Sequence, residues 1–256
     1  MLRPTIFREY DIRGVADSEL LSPDIEDLGR GLGTYLARTS GGRNINVGRD
    51  CRLSSARLRE ALVAGLRSAG CDVTDIGVVP TPVLYFSAQY LSASGAVMIT
   101  GSHNPPEYNG FKSVCGPGTL HGEAIQDVRR IIEERNFERG NGKLVTQDAV
   151  TPYVDEVASQ FHFPRRVKLV ADGGNGVAGP VMRRIFEKLN VDATCLFFES
   201  DGTFPNHHPD PTVPANLSHL IDKVRETGGN SASPSTAIRT VSARSTKKAT
   251  SFTATC

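Results

Sequence analysis

The chain has 256 residues, 39% hydrophobic and 22% charged, with 29 Lys and Arg against 28 Asp and Glu for a formal net charge of +1. That length suits two domains of common size, and the charge balance gives no push toward nucleic acid or a membrane surface. No apolar run is long enough to span a bilayer, and "MLRPTIFREYDIRG" mixes charges too early for a signal peptide. Cys51, Cys71, Cys115, Cys195 and Cys256 are scattered without a C-x-x-C pair, as expected of reduced thiols in a cytoplasmic protein. The first predicted strand is "INVGRD" (45–50), which runs into a polar loop. Residues 55–70 place Leu58, Ala61, Leu62 and Leu66 at helical spacing and stop at Gly70. A strand over 71–79 leads to a helix over 80–93 with proline in its first turn. "GAVMIT" (95–100) is a buried strand, "GFKSVC" (110–115) another, and 121–135 a charged amphipathic helix. This alternation predicts an α/β fold with a largely parallel sheet. The polar, glycine-bearing stretch 138–150 reads as a linker, after which the alternation restarts. It gives a helix over 151–161, a strand over 167–172, a helix over 176–190 and a strand over 191–198. A long proline-rich loop (199–216) then leads to a helix over 216–228. Beyond Gly228 the chain is Ser, Thr, Ala and Lys with almost no bulky apolar residue. Such a segment buries too little surface to offset its ordering entropy and is expected to be disordered.

The segment "TGSHNPPEYNGFK" (100–112) follows a buried strand and holds Ser102, His103 and Asn104 ahead of two prolines. Gly, Ser, Asn and Pro are turn formers. The C-terminal end of a parallel strand is also where α/β proteins place chemistry. The segment resembles the phosphoserine loop of the phosphoglucomutase/phosphomannomutase family, the α-D-phosphohexomutases. That pattern is T-[AG]-S-H-N-P, two variable residues, then aromatic-N-G-[FI]-K. Thr100, Ser102, His103, Asn104, Pro105, Tyr108, Asn109, Gly110, Phe111 and Lys112 all fit it. "FREYDIRGV" (7–15), "VGRDCRLSS" (47–55), "VADGGNGVAG" (170–179) and "FPNHHPDP" (204–211) resemble other segments of the family, in its order. Members have four domains, and this chain resembles the first two. The implied architecture is two three-layer α/β/α domains with mixed, mostly parallel sheets, at 1–140 and 151–229, followed by a non-family tail at 230–256.

The resemblance implies interconversion of hexose 1-phosphates and 6-phosphates through a phosphoserine and a bisphosphosugar. It also implies Mg²⁺ as cofactor and a hexose 1,6-bisphosphate as activator. The partner would be a small phosphosugar, with neither nucleic acid nor membrane involved. Ser102 would carry the phosphoryl group, Lys112 would move a proton or neutralise charge, and His103 and Asn104 would shape the loop or contact the phosphoserine. Arg13 and Tyr10 would help hold the sugar phosphate, since Arg suits phosphate geometry. The plainer role for Arg13 is an ion pair with Asp11.

"GNGVAG" (174–179) also matches the G-x-G-x-x-G dinucleotide fingerprint, with Glu199 and Asp201 about 20 residues on. A dinucleotide-binding module is therefore the alternative, with a non-catalytic remnant as another. His207, His208 and Asp210 invite a metal reading, although their proline-rich setting favours a turn.

In the family, Mg²⁺ is held by a D-G-D-x-D-R loop and a phosphoserine oxygen, here that of Ser102. The loop is absent where it should follow the helix at 216–228. "SPSTAIRTV" (233–241) can be written TCG CCT TCG ACG GCG ATA CGG ACC GTA. With an A in front, the same bases read I-A-F-D-G-D-T-D-R, a strand followed by the missing metal loop. Residues 230–256 therefore fit a gene read out of frame. Such a chain would lack one strand of its second sheet and the metal carboxylates, and would show little mutase activity alone.

Overall fold

The structure, a computed structural model, describes residues 2–116 and 118–227 and the backbone strands at 231–236, 239–246 and 249–254. Two compact units are present: Met1–Gly101 with Pro105–Ala149, and Ser102–Asn104 with Val150–Cys256.

The first unit holds β1 (Ile12–Val15), α1 (Ala16–Glu19), α2 (Ser22–Ser40), β2 (Asn44–Arg49), α3 (Ser55–Ser68) and β3 (Asp72–Val78). It continues through α4 (Thr81–Tyr90), β4 (Gly95–Ile99), β5 (Tyr108–Cys115), β6 (Gly118–Thr119), α5 (Glu123–Glu133) and β7 (Leu144–Thr146). The sheet order is β1-β5-β4-β2-β3-β7, with β6 on β5. β4, β2, β3 and β7 run parallel, while β5 is antiparallel to β4 and to β1.

Period-two alternation sorts β2 between two layers. Ile45 and Val47 join the core that α2, α3 and α5 cover through Leu28, Leu32, Leu62, Leu66 and Val128. Asn46 faces the other way, and its Nδ2 donates to Ser87 Oγ of α4 at 3.1 Å. Helices therefore lie on both faces, as the three-layer expectation required.

Two expectations are corrected. No helix was foreseen before 45, yet α2 is the longest helix of the unit. Its glycines, poor helix formers, sit where neighbours come close: a Cβ at Gly31 would lie 2.5 Å from Ile132 Cγ1. The second correction is the linker at 138–150. Arg38 and Arg43 pair with Glu138 at 3.1 and 3.3 Å, Arg67 Nε donates to the Gly142 carbonyl at 2.9 Å, and β7 then pairs with β3. The polar residues there serve attachment, and the first unit runs on to Ala149.

The second unit holds α6 (Val150–Ser159), β8 (Lys168–Asp172), α7 (Ala178–Lys188), β9 (Asp192–Leu196), α8 (Ser218–Thr227), β10 (Ser231–Thr236), β11 (Arg239–Thr246) and β12 (Ala249–Ala254). Its sheet order is β12-β11-β10-β8-β9. Val170 packs with Leu220 of α8, whereas its neighbour Ala171 packs with Phe186 of α7, so this sheet too is covered on both faces. β10 pairs parallel to β8, with Ala232 opposite Val170, and antiparallel to β11, which pairs in turn with β12.

Candidate active site

Asp11, just before β1, is buried and accepts from both Arg13 and Lys112. Lys112 Nζ lies 3.1 Å from Asp11 Oδ2, and Arg13 Nη2 bonds the same oxygen. Burial pushes the Asp11 carboxyl up. The Arg13 hydrogen bond and the charges of Lys112 and Arg13 outweigh it and hold the group below its ordinary value. The β-register explains the meeting: Ile12 is opposite Phe111 and Arg13 opposite Gly110, so Lys112 lies beside Asp11. Gly110 permits it, since a Cβ there would stand 2.5 Å from the Ile12 carbonyl oxygen. The ion pair foreseen as the plainer role for Arg13 is thus present, with Lys112 added to it.

Ser102 follows β4 by three residues and has φ 56°, in the left-handed region that a non-glycine residue rarely occupies. Its hydroxyl lies 3.3 Å from His103 Nδ1 and 3.4 Å from Nε2, so either imidazole tautomer leaves a nitrogen able to accept the hydroxyl proton. Ser102, His103 and Asn104 are all part-exposed. Tyr10 is 73% exposed. Of the six foreseen residues, Arg13 and Lys112 thus meet at Asp11, and Ser102 lies against His103.

Sequence reasoning assigned no role to the residues that support the loop. Asp50, buried after β2, accepts from Ser55 Oγ at 2.5 Å, Arg52 Nε at 3.2 Å and the Gly101 amide at 3.3 Å. Arg52, its side chain wholly buried, also donates through Nη1 to the Pro105 carbonyl at 2.5 Å and the Tyr108 carbonyl at 3.1 Å. Burial pulls the Arg52 guanidinium below its ordinary value, partly restored by Asp50. Asn109 Nδ2 donates to Ser54 and Ser55 Oγ, each at 2.9 Å, and Asn109 Oδ1 accepts from the Gly110 amide. The available signal was the acid and arginine two apart in "GRDCR", just past a strand.

In the second unit, Gly174 and Asn175 occupy the left-handed region between β8 and α7. The glycines serve close packing: a Cβ at Gly179 would lie 2.4 Å from the Phe198 carbonyl oxygen, and one at Gly173 would lie 2.8 Å from that of Phe197. Asp201 is turned onto Thr203, and Glu199 pairs with Arg183. His207 holds buried Asp172 through Nε2 at 3.1 Å while its Nδ1 meets the His208 carbonyl at 3.0 Å. Among the described residues no group of three His, Cys, Asp or Glu is placed to hold a metal ion.

The Asp172 hydrogen bond raises the His207 pKa above its ordinary value, against burial. A raised folded value means that this stability is complete below about pH 6.5 and is lost as pH rises through the folded value. The thermal stability of the second unit is expected to fall over that window. His207→Phe should abolish the trend and cost about 2 kcal/mol, because the buried Asp172 carboxylate keeps only the Gly174 amide, at 2.8 Å, of these two partners.

Two family models match the chain: phosphoglucomutase/phosphomannomutase α/β/α domain I over residues 4–139 and domain II over 151–233. The chain belongs to the phosphoglucomutase/phosphomannomutase family. The phosphomannomutase/phosphoglucomutase of Pseudomonas aeruginosa is 44% identical over 225 residues, 88% of this chain and 48% of that protein. The phosphoglucomutase of Neisseria gonorrhoeae is 41% identical over 218 residues, 84% of this chain and 47% of that protein. A phosphoglucomutase/phosphomannomutase family protein from Burkholderia thailandensis superposes with a TM-score of 0.91 at 38% identity, covering 98% of this chain and 56% of its own. The chain spans about half the length of the curated relatives it matches. The glycine run 174–179 falls inside the domain II match, which accounts for it without a dinucleotide. Among the described residues no helix is long and apolar enough to cross a membrane.

Proposed function

We propose that this chain carries the phosphoryl-accepting half of a phosphohexomutase that interconverts hexose 1- and 6-phosphates through a bisphosphosugar. The observation that carries the reading is Ser102, held left-handed at a strand end in a loop matching the family pattern, with an imidazole against its hydroxyl. In the proposed step Ser102 Oγ forms a bond to phosphorus while the sugar's ester O–P bond breaks. The serine proton passes to His103 and the departing sugar oxygen takes a proton from solvent. Arg13 and Lys112 supply positive charge that Asp11 orients, and phosphoryl transfer rewards such positioning more than covalent novelty. Tyr10 and Asn104 are assigned to contacts with the phosphosugar.

Magnesium, which the family resemblance implies, does not fit the residues described. Asp11 is committed to Arg13 and Lys112, and no three-ligand group is present among them. No step is routed through it. We also propose that residues 230–256 are a segment read out of frame, which is consistent with the domain II match ending at 233. Sequencing the coding DNA from the Arg225 codon onward tests this. A neighbouring frame spelling D-G-D-x-D-R supports it, and its absence makes the tail native.

Incubation with glucose 1,6-bisphosphate followed by peptide mass spectrometry is expected to show one phosphoryl group on Ser102, and none in Ser102→Ala. A wild-type chain that takes no label under any condition, with or without added Mg²⁺, favours a non-catalytic remnant. Turnover of hexose 1-phosphate by the isolated chain is expected to be negligible, and a full rate would refute that part of the reading.

A further inference from the structure

The serine loop projects from the sheet between Gly101 and Tyr108, and each of its ends meets the same buried ion pair. Asp50 Oδ2 receives the Gly101 amide at 3.3 Å on one side. On the other, Arg52 Nη1 reaches the carbonyls of Pro105 and Tyr108 at 2.5 and 3.1 Å. Arg52 Nε closes the circuit onto Asp50 Oδ2 at 3.2 Å. The arginine side chain is wholly buried and the aspartate nearly so, in a place where a charge pair adds little net stability over apolar packing. A guanidinium is suited to the task because its rigid fork presents several N–H donors in fixed directions, which an ammonium cannot do. These bonds of Arg52 go to the loop's own backbone and to the carboxylate that holds the loop's first residue.

We propose that the Asp50–Arg52 pair is a clamp that fixes both ends of the serine loop and thereby keeps Ser102 in its left-handed conformation, making Arg52 a positioning residue for phosphoryl acceptance. The role in phosphoryl acceptance rests on the function proposed above, whereas the clamp itself is judged by loop order alone. A residue in the left-handed region tends to relax unless its surroundings over-determine it. Closing the loop at both ends removes that freedom.

The test is amide hydrogen exchange on the full chain with Asp50→Asn and Arg52→Lys. Asn keeps the volume and loses the charge, and Lys keeps the charge and loses the fork. The Gly101 and Tyr108 amides, bonded to Asp50 and to the Pro105 carbonyl, are expected to exchange at least ten-fold faster in both variants. Amides within β4 and α3 should keep wild-type rates. Unchanged loop exchange in a folded variant overturns the clamp, as does an equal loss of protection across the unit, which would make the pair a general stability element. Should either variant fail to fold, the wild-type Arg52 Nε–H decides: slow exchange supports the clamp and free exchange overturns it. Labelling of Ser102 from glucose 1,6-bisphosphate should fall at least ten-fold in Arg52→Lys while labelled wild-type chain is obtained in parallel. A wild-type chain that takes no label counts against the mutase reading and leaves the exchange result to judge the clamp.

Discussion

Asp11→Ala is expected to lower the unfolding free energy of the first unit by about 3 kcal/mol, read from urea denaturation. The side chain is 6% exposed and accepts from two cations that are themselves only about a quarter exposed. Removing it leaves Arg13 and Lys112 side by side with no counter-charge, and breaking a buried pair costs more than the pair was worth. The pH dependence follows from the carboxyl's depressed folded value. Its contribution is complete above the unfolded carboxylate value near 4 and is lost as pH falls toward the lower folded value. The acid limb of the stability curve should therefore be shallower in Asp11→Ala than in the parent. Asp11→Asn, which keeps an acceptor without the charge, should fall between them in stability at neutral pH and share the shallower acid limb. An acid limb that does not change with the substitution would exclude Asp11 as a source of acid sensitivity.

The second large effect is expected at Gly65, where α3 crosses α2 with backbones nearly touching. A Cβ there would stand 2.0 Å from the Glu26 carbonyl oxygen and 2.8 Å from Gly29 Cα. Helix propensity favours alanine over glycine by about 1 kcal/mol, and forcing the helices apart costs up to about 3 kcal/mol. The net loss for Gly65→Ala is thus about 2 kcal/mol, a fall of roughly 4–8 °C in Tm for a domain of this size. Gly118→Ala is the control, because nothing lies within 4 Å of its Cβ position. It should change stability by less than about 0.5 kcal/mol. A stabilised Gly65→Ala would mean that the helix crossing yields easily and that glycine there is not needed for close approach.

These glycines also show where the sequence could be read and where it could not. Elements with clean periodicity were legible: α3 from Leu58, Leu62 and Leu66, and β4 from an unbroken apolar run that proved buried at all five positions. The helix α2 was not, because Gly29, Gly31 and Gly33 lower its intrinsic propensity, and the tertiary contacts that justify them are invisible along the chain. The segment 138–150 read as a linker because its polar residues carry the same composition whether they face solvent or meet Arg38 of α2, Arg43 just before β2 and Arg67 of α3. At the site, the matched loop pattern named Ser102, His103 and Lys112. Spacing alone could not show that Lys112 and Arg13 share Asp11, a fact of the β1–β5 register. Nor could it show that Arg52 lies beneath a loop more than fifty residues further on. The "NHHPDP" histidines could be matched to a family segment, but the partner of His207 comes from a strand 35 residues earlier.

The ends of the first sheet bear on how the protein behaves at high concentration. A sheet edge is a template for another chain, and the hazard grows with the length of flat, unpaired backbone it offers. On one side that edge is β7, only three residues long, although Leu144 and Val145 are 38% and 47% exposed. On the other it is β1, four residues long, where Phe7 folds back to bridge Ile12. Both borders are too brief to seed a long run of intermolecular pairing, so the sheet guards itself against polymerising by keeping its outermost strands short.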